Sequence, residues 1–183
     1  MGGVTDQDEA QTTIGIIGAD FYDLYRGKLK PLAFQAKGQE CAYVPDSSLT
    51  SRDKINVRDG HYPLWGRIHF FTGRMNGGTP TSQVAYNFVF YLTSAFLDQD
   101  ILEAFVAASF VPACAMKVFR KSELGDMTCP ETPSPCGCVF DALTNPDKSH
   151  PPPGCVVCGN PSDCARNDPA NPSCNYGYCE RTM

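Results

Sequence analysis

Ten cysteines and three histidines are the residues of this chain with the most chemistry to offer. Eight of the cysteines fall between Cys129 and Cys179, among ten of the fifteen prolines. An even number of thiols in a proline-rich, loop-like stretch reads as a disulfide framework, and disulfides persist in oxidising compartments. The spacing also admits zinc. Cys136-Gly137-Cys138 and Cys155-Val156-Val157-Cys158 have ligand-like separations, and a cytosolic chain carrying them would be a zinc-binding interaction domain. The even total favours pairing of all ten: Cys41, Cys114, Cys129, Cys136, Cys138, Cys155, Cys158, Cys164, Cys174 and Cys179. Haem attachment is excluded, since Gly159 rather than His follows Cys158. Cys41 and Cys114 stand apart from the rest; they pair with each other, or one of them ties the tail down, and sequence does not choose.

No nucleophile–base set is visible. The chain has no Gly-x-Ser-x-Gly elbow, phosphate-binding loop, His-Glu-x-x-His or dinucleotide fingerprint. His61, His69 and His150 occur in unrelated contexts, and His69 alternates within an apolar run as a structural histidine does. A cysteine held in a disulfide is no nucleophile. The expectation is therefore a protein that is not an enzyme and that takes no cofactor and no metal. Asp163, Asn167, Asp168, Asn171 and Asn175 lack the ligand alternation of a calcium loop and read as turn formers. Four residues remain as candidate ligand contacts. Asp20 and Tyr22 follow an apolar run, at a cleft edge or simply as a cap with aromatic packing. Tyr62 and Trp65 flank Pro63 and precede a second such run, where ligands approach open α/β sheets.

The elements that would position these residues follow from local pattern. Residues 13–18 are β-branched and bounded by glycine, and residues 19–27 form a helical turn or two with Asp20 as cap and Gly27 as stop. Residues 29–35 and 41–45 are short extended pieces. Ser47 or Ser48 caps a short helix over residues 49–55. Asp59-Gly60 is a turn, Pro63 fixes its own φ, and residues 68–72 are a strand. Residues 80–96 are the strongest helix, capped by Thr79 or Thr81. Its apolar face comprises Val84, Ala85, Phe88, Tyr91, Leu92 and Ala95 and is expected to be core. A second helix starts at Asp98 or Asp100 with Ile101, Leu102, Phe105 and Val106 inward, and residues 115–119 form a last strand.

Composition bounds the rest. A chain of 183 residues buries one core with a small appendage, and a net charge of −5 argues against nucleic acid and anionic membrane as partners. No apolar run approaches the ~20 residues of a membrane span. The first nine residues are polar and acidic and do not read as a signal peptide; an exported chain would be mature, trimmed or incomplete here. The organisation expected is an extended or disordered lead-in (1–12), an α/β domain (13–121) and a Cys/Pro-rich extension ordered by its cross-links (122–183).

The run from Asp59-Gly60-His61-Tyr62-Pro63-Leu64-Trp65-Gly66-Arg67 to Ile68-His69-Phe70-Phe71-Thr72 resembles the Gly-x-Tyr-Pro turn and long apolar strand near the end of phosphate-type periplasmic solute-binding proteins of ABC transporters. Ile14-Gly15-Ile16-Ile17-Gly18 with Leu29-Lys30-Pro31-Leu32-Ala33-Phe34 is similar to that family's return across the hinge. The stretch from Ser82 to Phe90 resembles its late amphipathic helix, and Phe110-Val111-Pro112 its terminal phrase. The resemblance covers about residues 13 to 120. It implies part of a periplasmic-binding-protein-like lobe, a mixed sheet with covering helices. The anion-holding Ser/Thr/Gly loops of that family's first half are not found here. It further implies an exported binding module in the periplasm, at the cell surface or secreted, whose fold needs another protein chain or a missing N-terminal half. A small anion would bind only in the completed fold. A structural or adhesive component of the cell envelope that reuses the fold without ligand is the alternative.

Overall fold

The computed structural model describes residues 13–75, 78, 80–93, 98–123, 125–129 and 135–181. Its helices are α1 (Ala19–Leu24), α2 (Ile55–Arg58), α3 (Gln83–Thr93), α4 (Gln99–Ala107), α5 (Gly137–Thr144) and α6 (Pro161–Asn167), with a 3-10 turn at Ala113–Ala115. Two antiparallel pairs complete it: β1 (Phe119–Arg120) with β2 (Met127–Thr128), and β3 (Ser173–Asn175) with β4 (Tyr178–Glu180). The chain is thus mixed α and β, but its sheets have two strands each.

The main core forms at the junction between body and tail. Leu102 of α4, Ala115, Cys136, and Val139 and Phe140 of α5 are buried together, ringed by Phe105, Val106, Val111 and Leu143. Asp98 caps α4 by accepting from the Asp100 N–H at 2.9 Å, so the expected start of this helix and its inward face both hold. The Cys114–Cys136 disulfide and the β1–β2 pair both join the two sides of residue 122. Gly60 takes φ +86, as the Asp-Gly turn requires, and a Cβ there would meet Val118 at 3.2 Å.

The tail folds more than its composition promised. Its second core consists of Cys158, Cys164 and Cys179, packed with Val156 and Cys174. Asn160 caps α6 with a reciprocal box to Asp163, Pro161 follows at the first turn, and β3 and β4 meet through Tyr176 and Gly177, both at positive φ. The run read as turn chemistry therefore contains a helix and a hairpin. Four disulfides are formed: Cys114–Cys136, Cys138–Cys155, Cys158–Cys174 and Cys164–Cys179. The expectation that all ten cysteines pair is corrected: Cys41 and Cys129 are free and exposed.

Several expected strands are not strands. Residues 14–18 and 68–72 run without ladder bonds to any described residue, and residues 29–35 and 41–45 meet only through a single Phe34–Tyr43 bridge. A β-conformation is held by a neighbour that takes its N–H and C=O groups, and no described segment does so for residues 14–18 and 68–72. The helix expected over residues 49–55 is instead a hydroxyl-bonded loop, with Ser47 bonded to Ser51 and Asp53, ahead of the four-residue α2. Gly18 rather than Asp20 precedes α1, and Tyr25 rather than Gly27 closes it. The face of α3 expected in the core is largely bare: Val84 is 80% exposed, and Phe88 and Tyr91 are about half exposed. The lead-in (1–12), the Thr79 cap and the helix end at residues 94–97 lie outside the described residues.

This bareness extends beyond α3. Ile16 is 100% and Phe71 93% exposed, and Ile14, Leu24, Leu32, Leu64 and Phe70 are also exposed.

Candidate functional site

The exposed apolar segments border one open groove. Ile14, Ile16, Leu32, Leu64, Ile68, Phe70, Phe88 and Tyr91 line it, and so do all four residues proposed from sequence: Asp20, Tyr22, Tyr62 and Trp65. Its volume is about 2890 Å³, whereas pockets for small ligands hold roughly 300–1,000 Å³. A small anion would leave most of it empty.

Two buried charge clusters, neither evident from sequence, hold the walls in place. The first fastens α1. Lys54 Nζ donates to Asp23 at 2.8 Å and to Asp46 at 3.0 Å, Arg26 bonds both carboxylates, and all four side chains are largely or wholly buried. Burial pushes the Asp23 carboxyl up, but hydrogen bonds from Lys54, Ser109 and Arg26 hold it below its usual value. The Lys54 backbone adopts φ +48, held by its N–H donating to Asp46 at 2.9 Å. Arg26 also lies 4.7 Å over the Tyr22 ring, so the cluster sets both Asp20 and Tyr22 on the groove's edge.

The second cluster clamps the disulfide-rich knob to the body. Arg58 is 0% exposed; its guanidinium donates to the Ala115 carbonyl at 2.8 Å, pairs with Asp141 and lies 4.7 Å over Phe140. Glu180 of β4 is 6% exposed and accepts the Cys138 N–H at 2.7 Å. Burial, with Asp141 nearby, pushes its carboxyl up to about 7 against the opposing pull of the Cys138 N–H and Arg58.

Tyr62 and Trp65 are partly buried beyond the Asp59-Gly60 turn. The Tyr62 N–H donates to the Asn56 carbonyl at 2.6 Å, and its ring meets Phe34 edge-on at 6.4 Å. Burial raises the Tyr62 hydroxyl above its usual range. Arg120 stacks 4.6 Å over Trp65 and donates to the carbonyls of Pro63 at 2.6 Å and Trp65 at 3.0 Å, which fixes the segment that leads into residues 68–72. Trp65 Nε1 and Arg120 Nε are buried with no hydrogen-bond partner among the described residues. Because residues 68–72 have no ladder partner among the described residues, these rings sit at the start of an irregular segment rather than at the end of a strand in a sheet.

The histidines bond to nearby carboxylates. His61 meets Asp59 at 2.8 Å, His69 meets Glu123 at 2.9 Å, and His150 lies 3.5 Å from Asp147. Ser149 contacts both His150 and Asp147, but within consecutive residues of an exposed turn whose hydroxyl also faces Asp147, and it lines no cavity described here. Cys158, Cys164 and Cys174 have sulfurs within 4.8 Å of one another. All three are in disulfides, and a disulfide sulfur has no thiolate to give a metal. No described helix is long and apolar enough to cross a membrane. Four disulfides are the chemistry of an oxidising compartment.

Sequence reasoning missed Lys54, Asp46, Asp23, Arg58 and Glu180. Only the Asp23/Arg26 spacing of three was visible on a helix; Arg58 and Asp141 are 83 residues apart. Against known proteins, the chain matches no family model, no curated protein and no solved structure.

Proposed function

We propose that the chain is an exported, non-enzymatic binding module whose α/β part corresponds to the closing portion of a solute-binding-type lobe and is completed by another polypeptide segment. One observation carries this reading: residues 14–18 and 68–72 are largely apolar, lie outside any helix, have no ladder partner among the described residues, and both border the same oversized groove. Exposed apolar surface contiguous on this scale marks a site that another surface covers. Strands with unmet backbone groups want a strand beside them.

Apart from Pro135, which lines the groove, the described part of the disulfide-rich knob supports it. Its attachment through Arg58, Asp141, Glu180 and the Cys114–Cys136 bridge keeps α4 and α5 in register beneath the wall. Solute capture by this chain alone is disfavoured on magnitude. An anion in an open trough stays solvated, and Coulomb attraction is weak at high dielectric. Lys54, one of the cations that line the groove, is already paired with Asp23 and Asp46. A small anion is bound only once the second wall is in place.

Titration calorimetry with inorganic phosphate, beside sedimentation of the same sample, tests the proposal. The expected result is no micromolar phosphate binding, together with self-association or strong binding of an apolar dye. A stable monomer that ignores the dye and binds phosphate at micromolar concentration would overturn it.

A further inference from the structure

We infer that the segment completing the groove is an extended β-strand of another polypeptide, apolar at alternate positions and flanked by carboxylates. This rests on the completion reading above and adds the chemistry of the partner. Among the described residues, the backbone of residues 68–72 has no ladder partner, so a peptide laid alongside can form main-chain bonds with it. Side chains of that run alternate as a strand's do. Ile68 and Phe70 line the groove, whereas His69 and Phe71 do not, and Phe70 packs edge-on against Phe88 of α3 at 5.1 Å. An added strand therefore presents every second side chain to Phe88 and Tyr91, and those positions must be apolar.

Charge fixes the rest. Among the described residues, Lys28, Lys30, Arg67 and Arg120 line the groove against Asp20 and Asp100, an excess of cations in a chain whose net charge is −5. Lys54 also lines it but is matched by Asp23 and Asp46. Lys28 and Lys30 are exposed and form no ion pair with a described carboxylate. Arg67 donates to the Arg120 carbonyl and has the Glu123 carboxylate nearby, so Lys28 and Lys30 carry most of the excess. The wall is thus opposite in sign to the chain that bears it. A second copy of this chain, docked through the same surface, would set these cations against themselves. An acidic strand meets them favourably.

The probe is a fluorescent peptide with alternating Val and Thr in the middle and two Glu at each end. Its controls are the same core with Lys ends, and the Glu-ended peptide with Pro at the central position. Anisotropy with the full chain should show saturable binding of the Glu-ended peptide, about tenfold tighter than its Lys-ended control, from a few exposed charge contacts that salt weakens. Proline should abolish binding, because it removes a ladder donor. The double variant Lys28→Glu, Lys30→Glu should erase the preference for acidic ends, with thermal unfolding unchanged because both side chains are exposed. Equal affinity for the two ends, or tolerance of the proline, overturns the inference. A dimer that leaves no peptide site overturns it too, while sparing the reading that the fold needs completion. A monomer that binds neither peptide nor apolar dye defeats both.

Discussion

Glu180→Gln isolates the cost of burying a carboxylate at the junction of knob and body. Glu180 has its carboxyl pushed from 4.5 to about 7, while Gln keeps an oxygen to accept the Cys138 N–H. Between those two values the unfolded chain has released a proton that the folded chain retains. The Glu180 contribution to stability is therefore greatest below pH 4.5, falls as pH rises, and is lost once pH passes about 7. Each unit of displacement corresponds to about 1.4 kcal/mol, so the full fall is about 3 kcal/mol. Urea unfolding of both proteins, with the free thiols Cys41 and Cys129 blocked to prevent exchange, gives the comparison at pH 5 and pH 8. The lowered carboxyls of Asp23 and Asp53 have the opposite slope, but it falls below pH 4 and outside this range. The variant should gain about 2–3 kcal/mol on the native protein between the two pH values. A difference that does not change with pH, or a variant less stable at pH 8, would refute the electrostatic account of the junction.

Three further outcomes follow from the buried charges and the cysteines. Lys54→Met leaves Asp23 and Asp46 with Arg26 alone and should cost about 3 kcal/mol or more in urea unfolding, whereas Lys28→Met, at an exposed position, should fall within about 0.5 kcal/mol of the native protein. Arg58→Met removes the Asp141 pair and orphans the Ala115 carbonyl; a loss of about 2–4 kcal/mol is expected by the same assay, and a neutral result would mean that the clamp contributes nothing. Alkylation of denatured, unreduced chain should modify two cysteines, Cys41 and Cys129; none modified, or more than two, would contradict the pairing described.

Local signals were legible where the chain itself supplies the physics. Asp59-Gly60 announced a positive φ, Asp98 announced a cap, and the cysteine-rich tail announced cross-links. All four candidate contacts do reach one groove, although through α1's ion cluster and Arg120 rather than through a sheet edge. What could not be read depends on distant partners. Hydrophobic pattern marks residues 68–72 as a strand, but only a neighbour makes it one, and none is among the described residues. The same reasoning explains α3, whose apolar face was taken for core because periodicity reports a face and not its cover. Even parity suggested that no cysteine is left free, yet parity carries no information on distance, and Cys41 and Cys129 are unpaired. The helix at Pro161 was available from Asn160, Pro161 and Asp163, and was hidden by reading Asp163 and Asn167 as turn formers.

Hydrogen exchange of the native chain, followed by mass spectrometry at peptide resolution, tests most directly whether this fold awaits another segment. Residues 14–17 and 68–72 should exchange at rates close to those of an unfolded chain while the amides around Leu102 and Phe140 stay protected, and they should gain protection when a strand-forming acidic peptide is added. Protection of residues 68–72 in the chain alone, equal to that of the core, would mean that these groups already have partners and would contradict the account.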